Sequence, residues 1–364
     1  MGGYSLVDGV FTRFWETAVD LTGPDTSLPQ LRPADVVLVN DGDLAYAKAR
    51  LDGRSLAALS GQIGRLPDSV ARSVAWGIVW DMTRDGEAGA RQFAQAALRW
   101  VAEEANSTGR QKLLGLLAQA LEEYTAPEFR LAATELAAGR LWQLAVEARP
   151  GSDAQLQLVR AFARHATSPA QIDCLDELVL GSRSLTGLDL DTDLRWDLLF
   201  GLVVAGRAGE DRIDAQLASD RTHSGLERAA GARAALPNPE AKAAAWLRAV
   251  EDPATPNETQ RAIIAGWARV KNAALLAPFV EPYFAALPRI WRARTQQIAA
   301  NVAEGLYPSA AADLPSLDVL GATDRFLAEL GDDLPPLRRL VVEGRAGVKR
   351  ALAAQAADRA VGLA

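Results

Sequence analysis

Through the first forty residues, apolar and polar positions alternate in short runs, the period of a half-buried strand. Tyr4-Ser5-Leu6-Val7 and Val10-Phe11-Thr12-Arg13-Phe14-Trp15 flank Asp8-Gly9, a pair suited to the left-handed centre of a tight turn, and so predict a β-hairpin. Val19-Asp20-Leu21 before Gly23-Pro24 continues the β pattern, and Val36-Val37-Leu38-Val39, ending at Asn40, predicts a short buried strand. A ribbon of this size is marginally stable alone, so it must pack on the rest of the chain or on a further sheet. A β-element that starts abruptly at residue 4 leads to the expectation that the chain is a fragment.

From about residue 43 onward the apolar period becomes 3.6 and stays there. Leu113, Leu114, Leu117 and Leu121 form one helical stripe, and Leu194, Leu198, Leu199 and Leu202 another. Ser55 and Asp68 are candidate N-caps. Thr108 with Gln111, Ser168 with Gln171 and Thr255 with Glu258 have capping-box spacing, and Pro169 and Pro239 suit a first helical turn. About fourteen to sixteen helices follow residue 50, in pairs of roughly 35 to 40 residues, the range of HEAT-like arrays. The predicted architecture is mainly α: a HEAT-like α-solenoid of antiparallel helix pairs over residues 41–364, preceded by a short β-ribbon, a partial β-sandwich, over residues 1–40.

Composition removes several classes of function. Hydrophobic residues are 49% and charged residues 23%, a globular balance. A net charge of −7 argues against a nucleic-acid partner. No apolar run approaches the roughly 18 residues of a membrane span, and no secretory leader is visible at Met1-Gly2-Gly3-Tyr4. The single cysteine, Cys174, forms no internal disulfide, which fits a reducing cytoplasm. It sits on an apolar stripe as a small core residue. The only histidines, His165 and His223, lie 58 positions apart. Neither sits in a zinc motif nor in a G-x-S-x-G context, so no catalytic residue and no metal ligand is assigned. His165 is expected to cap a helix end or lie on the surface, and His223 to lie in a loop.

Two polar faces stand out. In Trp76-Gly77-Ile78-Val79-Trp80-Asp81-Met82-Thr83-Arg84-Asp85 the tryptophans share one helical face, while Asp81, Arg84 and Asp85 share an adjacent one. In Pro288-Arg289-Ile290-Trp291-Arg292-Ala293-Arg294, Arg289 and Arg292 share a face with Gln296 and could hold a carboxylate or a peptide backbone. For both, structural ion pairing is the alternative. Glu103-Glu104 and Glu122-Glu123 read as exposed acidic faces.

Several segments taken together resemble M1-family aminopeptidases of the actinobacterial aminopeptidase N type. The run from Val36 through Asn40-Asp41-Gly42-Asp43 to Leu51-Asp52 is similar to the junction where the small β-sandwich of that family meets its C-terminal helical domain. Trp80-Asp81-Met82-Thr83-Arg84-Asp85, Pro278-Phe279-Val280-Glu281-Pro282-Tyr283-Phe284 with Ile290-Trp291, Glu304-Gly305-Leu306-Tyr307-Pro308 and the tail from Leu337 to Leu352 carry the likeness in order through nearly the whole chain. In that family an H-E-x-x-H zinc site and a G-A-M-E-N loop precede the sandwich, and neither motif is present here. The resemblance therefore implies a non-catalytic C-terminal helical domain that caps a zinc-dependent active site and shapes a peptide chamber. The zinc belongs to the catalytic domain, which becomes the expected partner together with the peptide substrate. Asp81, Arg84, Arg289, Arg292 and Arg294 are the residues expected to face that chamber. An exposed apolar face on the N-terminal ribbon is a further expectation. A stand-alone helical-repeat interaction scaffold is the alternative.

Overall fold

The computed structural model describes residues 1–28, 31–59 and 61–361. Three strands, β1 (Gly2–Val7), β2 (Val10–Glu16) and β3 (Val36–Leu38), form an antiparallel sheet in the order β2-β1-β3. Asp8 and Gly9 both adopt positive φ, as the hairpin turn requires. The register pairs Leu6 with Phe11 and Tyr4 with Val36, and a bulge falls between Gly3 and Tyr4. Tyr4, Phe11, Val36 and Leu38 face inward and are buried. The Tyr4 hydroxyl donates to both carboxylate oxygens of buried Asp41 at 2.9 Å, and Arg13 Nη1 donates to Asp41 Oδ2 at 3.1 Å. Burial, then the bond to Asp41, pushes the Tyr4 hydroxyl above its ordinary pKa. The expected strand at Val19-Asp20-Leu21 is absent: Asp20 and Leu21 follow β2 without ladder bonds.

Sixteen α-helices follow among the described residues. The first five are α1 (Gly53–Leu59), α2 (Ser69–Arg84), α3 (Ala90–Glu103), α4 (Ser107–Gln119) and α5 (Pro127–Glu147). Next come α6 (Asp153–His165), α7 (Pro169–Leu180), α8 (Thr192–Val204), α9 (Glu210–Ser219), α10 (His223–Ala235) and α11 (Pro239–Trp246). The last are α12 (Asn257–Ala268), α13 (Val280–Ala293), α14 (Gln296–Gly305), α15 (Val319–Leu330) and α16 (Pro335–Ala360). The protein is thus mainly helical behind a small sheet. Two compact units divide the chain, one of residues 1–133 with 353–364 and one of residues 134–352.

In the first unit, Trp76 and Trp80 are buried on α2, and Trp80 packs against Phe93 and Tyr124 with centroids 5.0 and 5.4 Å away. The last turns of α16 belong to this unit. Fully buried Asp358 accepts from the backbone N–H groups of Arg91 (2.9 Å) and Ala126 (3.2 Å) and from Arg91 Nε (3.1 Å). Glu104, expected on an exposed face, is buried: Arg72 Nε and Nη2 donate to its two oxygens at 2.7 and 2.9 Å. Burial pushes its carboxyl up, but the Arg72 pair and the Asn106 N–H outweigh this and hold it below the usual range.

Helix starts follow the residues that can satisfy orphan N–H groups. Asp68 caps α2, and Ser168 with Gln171 forms the capping box of α7, with Pro169 in its first turn. Three caps fall elsewhere than expected. Asp52, not Ser55, accepts the first N–H groups of α1, and Asn106, not Thr108, caps α4. Thr255 caps nothing: its hydroxyl donates to the Arg248 carbonyl at 3.0 Å and closes the turn before α12. In the first two cases a residue two or three positions earlier reached the N–H groups first. His165 ends α6, as expected, but is buried, and His223 is the first residue of α10 rather than a loop residue. Cys174 is buried on α7.

The second unit is built on a layer in which α6, α8, α10, α12 and α14 pack side by side in that order, with α7, α9, α11 and α13 as hairpin partners. Glycines set the close spacing. A Cβ on Gly201 would collide with the Ala163 carbonyl, one on Gly266 with the Gly231 carbonyl, and one on Gly305 with the Ile264 side chain. Cations then meet the helix C-termini that collect at one end of the layer. Fully buried Lys242 donates to the carbonyls of Ala234 (2.7 Å) and Trp267 (3.1 Å), at the ends of α10 and α12. Arg269 and Lys271 reach the carbonyls of Arg164 and Ala166 at the end of α6. Parallel helices leave partial negative charge at that end, and these three side chains offset it.

Candidate functional site

The exposed face of this layer forms a groove of about 810 Å³ across α8, α10, α12 and α14. Its floor is small, at Gly231, Ala262, Ala265 and Gly266, because the same short side chains that allow the helices to approach leave little volume above them. Phe200 and Trp196 supply aromatic surface at the α8 side. The Trp196 indole donates to Asp220 at 2.9 Å, which fixes its ring.

The rim is charged. Asp197 pairs with Arg160 at 2.8 Å and with Arg228 at 3.6 Å, and Arg228 also reaches Asp193 at 2.9 Å. Burial raises the Asp197 carboxyl pKa, and the two guanidiniums oppose it. Arg261 pairs with Glu258 on its own helix at 3.0 Å. Asn301 Nδ2 donates to Asn257 Oδ1 (2.9 Å) and Gln260 Oε1 (3.1 Å), tying α14 to the first turns of α12. A shallow apolar floor with amide and carboxylate groups along its edges suits an extended polypeptide, whose backbone needs both donors and acceptors.

The residues nominated from the sequence lie elsewhere. Asp81 and Arg84 are on α2 in the first unit, 3.6 Å apart in a pair of their own, and Asp85 beside them is held by Lys48 and Arg50. Arg289 and Arg294 are brought to one segment. Arg289 Nη2 donates to both oxygens of Glu251 at 2.7 Å, and Arg294 donates to the carbonyls of Asp252 (3.2 Å) and Pro253 (3.5 Å). Arg292 stands apart, 3.9 Å from Asp333. Gln296 does not share their face, since α13 ends at Ala293 and Gln296 opens α14. The groove residues Asp197, Phe200, Glu227, Arg228, Glu258, Arg261 and Glu304 were not singled out from the sequence. They come from four helices spread over about a hundred residues of chain, and the glycines at positions 201, 231, 266 and 305, in otherwise strong helical patterns, signal the close-packed layer beneath them.

Among the described residues, no three His, Cys, Asp or Glu side chains gather closely enough to hold a metal ion. No helix among them is long and apolar enough to cross a membrane.

Residues 36–350 match the family described as the ERAP1-like C-terminal domain. The chain belongs to that family. The domain is also similar to a protein of Streptomyces lividans named Aminopeptidase N, 41% identical over 366 residues that take in 99% of this chain. It spans only 42% of that relative's length. The match begins at β3 and runs through the helical layer, so the groove lies wholly within the family's extent.

Proposed function

We propose that this domain is the non-catalytic C-terminal part of a zinc-dependent M1 aminopeptidase, and that its groove walls a chamber over the active site and holds the distal part of the peptide. The groove itself carries the proposal: an open trough with a small-residue floor and a mixed-charge rim has the chemistry for an extended peptide. The zinc ligands and the scissile bond would belong to the catalytic portion that the longer relative has room for. Eight of the sixteen large apolar residues exposed among the described residues precede residue 47, including Leu6, Val7, Val10 and Phe14 on the ribbon. That concentration suits docking of the N-terminal sheet against such a portion. Asp81, Arg84, Arg289, Arg292 and Arg294 remain part of the same proposal. To meet a peptide they would exchange the internal partners described above. A cytoplasmic location accords with the single buried cysteine.

The test has two arms. The chain alone, with or without added zinc, leaves an aminoacyl chromogenic substrate uncleaved, and chelator-sensitive turnover by it would refute the non-catalytic assignment. In the assembled aminopeptidase, Ala265→Trp in the groove floor lowers kcat/KM for a ten-residue peptide by about tenfold while sparing the aminoacyl substrate. An unchanged length profile removes the chamber role. A chain that neither binds the catalytic portion nor alters its length preference is an independent scaffold instead.

A further inference from the structure

A second cleft, of about 440 Å³, runs between α13 and α15 and shares no residue with the groove. Its floor is aromatic and buried: the rings of Phe284 and Phe326 lie 5.4 Å apart, with Leu330 beside them and exposed Ala285 at the edge. Pro288 sits inside α13. It has no N–H to give to the carbonyl four residues earlier, which is that of Phe284, and both residues line the cleft. The Phe284 carbonyl therefore lacks its helical donor.

Two ion pairs bridge the cleft. Arg325 reaches Glu281 at 3.8 Å and Arg292 reaches Asp333 at 3.9 Å, with all four side chains between 58% and 80% exposed. Pairs this long and this wet hold their partners weakly, so a ligand can displace either at little cost. Glu281 and Arg292 are separated by eleven residues of one helix, or about 16 Å at the helical rise. An extended chain covers that span in about five residues. With Glu281, Glu329 and Asp333 set against Arg292 and Arg325, the cleft repels a polyanion, yet each end offers both signs of charge.

We propose that this cleft binds a short zwitterionic peptide of about four or five residues, extended along α13. An apolar side chain lies on the Phe284–Phe326 floor, a peptide N–H donates to the Phe284 carbonyl, and the terminal charges replace the partners in the two ion pairs. The site is distinct from the groove, because none of its residues lines that trough.

Isothermal titration of the full chain with the pentapeptide Ala-Leu-Phe-Leu-Ala tests it. The free peptide binds saturably with one-to-one stoichiometry, and the N-acetylated, C-amidated form binds about tenfold more weakly. Ala285→Trp fills the cleft from an exposed position and abolishes binding. Arg292→Gln weakens the free peptide but leaves the blocked one unchanged. Absence of saturable heat at millimolar free peptide overturns the proposal, as does full affinity in Ala285→Trp. Binding that survives Ala285→Trp and is lost in Ala265→Trp belongs to the groove and also overturns it. The chamber role itself is judged separately, by the peptide-length dependence of turnover.

Discussion

Replacing Asp358 with alanine should unfasten the C-terminal helix from the first unit. The carboxylate is fully buried and accepts three bonds, from the backbone N–H groups of Arg91 and Ala126 and from Arg91 Nε. Arg91 also donates to the Asp358 carbonyl at 2.9 Å and lies 3.9 Å from the centre of the Phe129 ring, so it stays in place when its counter-charge is removed. Breaking a buried ion pair by deleting one partner costs about 3 to 5 kcal/mol. Each buried N–H left without an acceptor costs about 1 to 3 kcal/mol. These overlap, since the same desolvation is counted in both, and a total of about 3 to 5 kcal/mol is expected. Asp358→Asn keeps one acceptor oxygen and should lose about half as much. Because the bonds lost lie within one of the two compact units, a local readout serves best. Amide hydrogen exchange by mass spectrometry resolves the effect locally: residues 353–361 and the first turns of α3 should exchange about a hundredfold or more faster in Asp358→Ala. Exchange within threefold of the wild type in those segments would show that the carboxylate does not hold the helix, and the reasoning would fail.

Burial lowers the Lys242 pKa to about 8. Between that value and the ordinary lysine pKa near 10.4 the unfolded chain binds more protons than the folded one, so stability rises with pH across that window, by up to about 3 kcal/mol. Below pH 8 both states are protonated and the cost is constant. Urea midpoints at pH 7, 8, 9 and 10 should therefore climb for the wild type, and Lys242→Met should flatten the climb; a wild-type profile already flat contradicts the burial. Two glycines with opposite surroundings make a second comparison. Gly266→Ala drives a methyl group into the Gly231 carbonyl and should destabilise by about 1 to 3 kcal/mol. Gly77→Ala on α2 meets open space and should stabilise by about 0.5 to 1 kcal/mol, both read as shifts in urea midpoint.

The elements were largely legible because local physics decides them. The hairpin at Asp8-Gly9, the leucine stripes on α4 and α8 and the Ser168 capping box depend on residues within one or two turns of each other, and all are present in the structure. Errors arose where two neighbours competed for one task. Asp52 outcompeted Ser55 because a carboxylate can accept two N–H groups and the Ser55 hydroxyl at once. Glu104 looked like half of a solvated acidic pair until Arg72, 32 positions earlier, was brought beside it.

What the sequence by itself determined was the secondary structure, the mainly helical class and, through ordered likeness along the chain, the family: periodicity and capping act over a few residues, and a likeness needs no distances. What only tertiary structure decided was where polar groups meet. The groove is assembled from α8, α10, α12 and α14, and its floor exists because Gly231, Gly266 and Gly305 let α10, α12 and α14 pack closely. Arg289 and Arg294 turned to residues 251–253 and Arg292 to a separate cleft, although all three sit within six positions of one another. Which way a long cationic side chain turns depends on the carboxylates and carbonyls that folding brings within its reach, and a linear pattern carries no record of that.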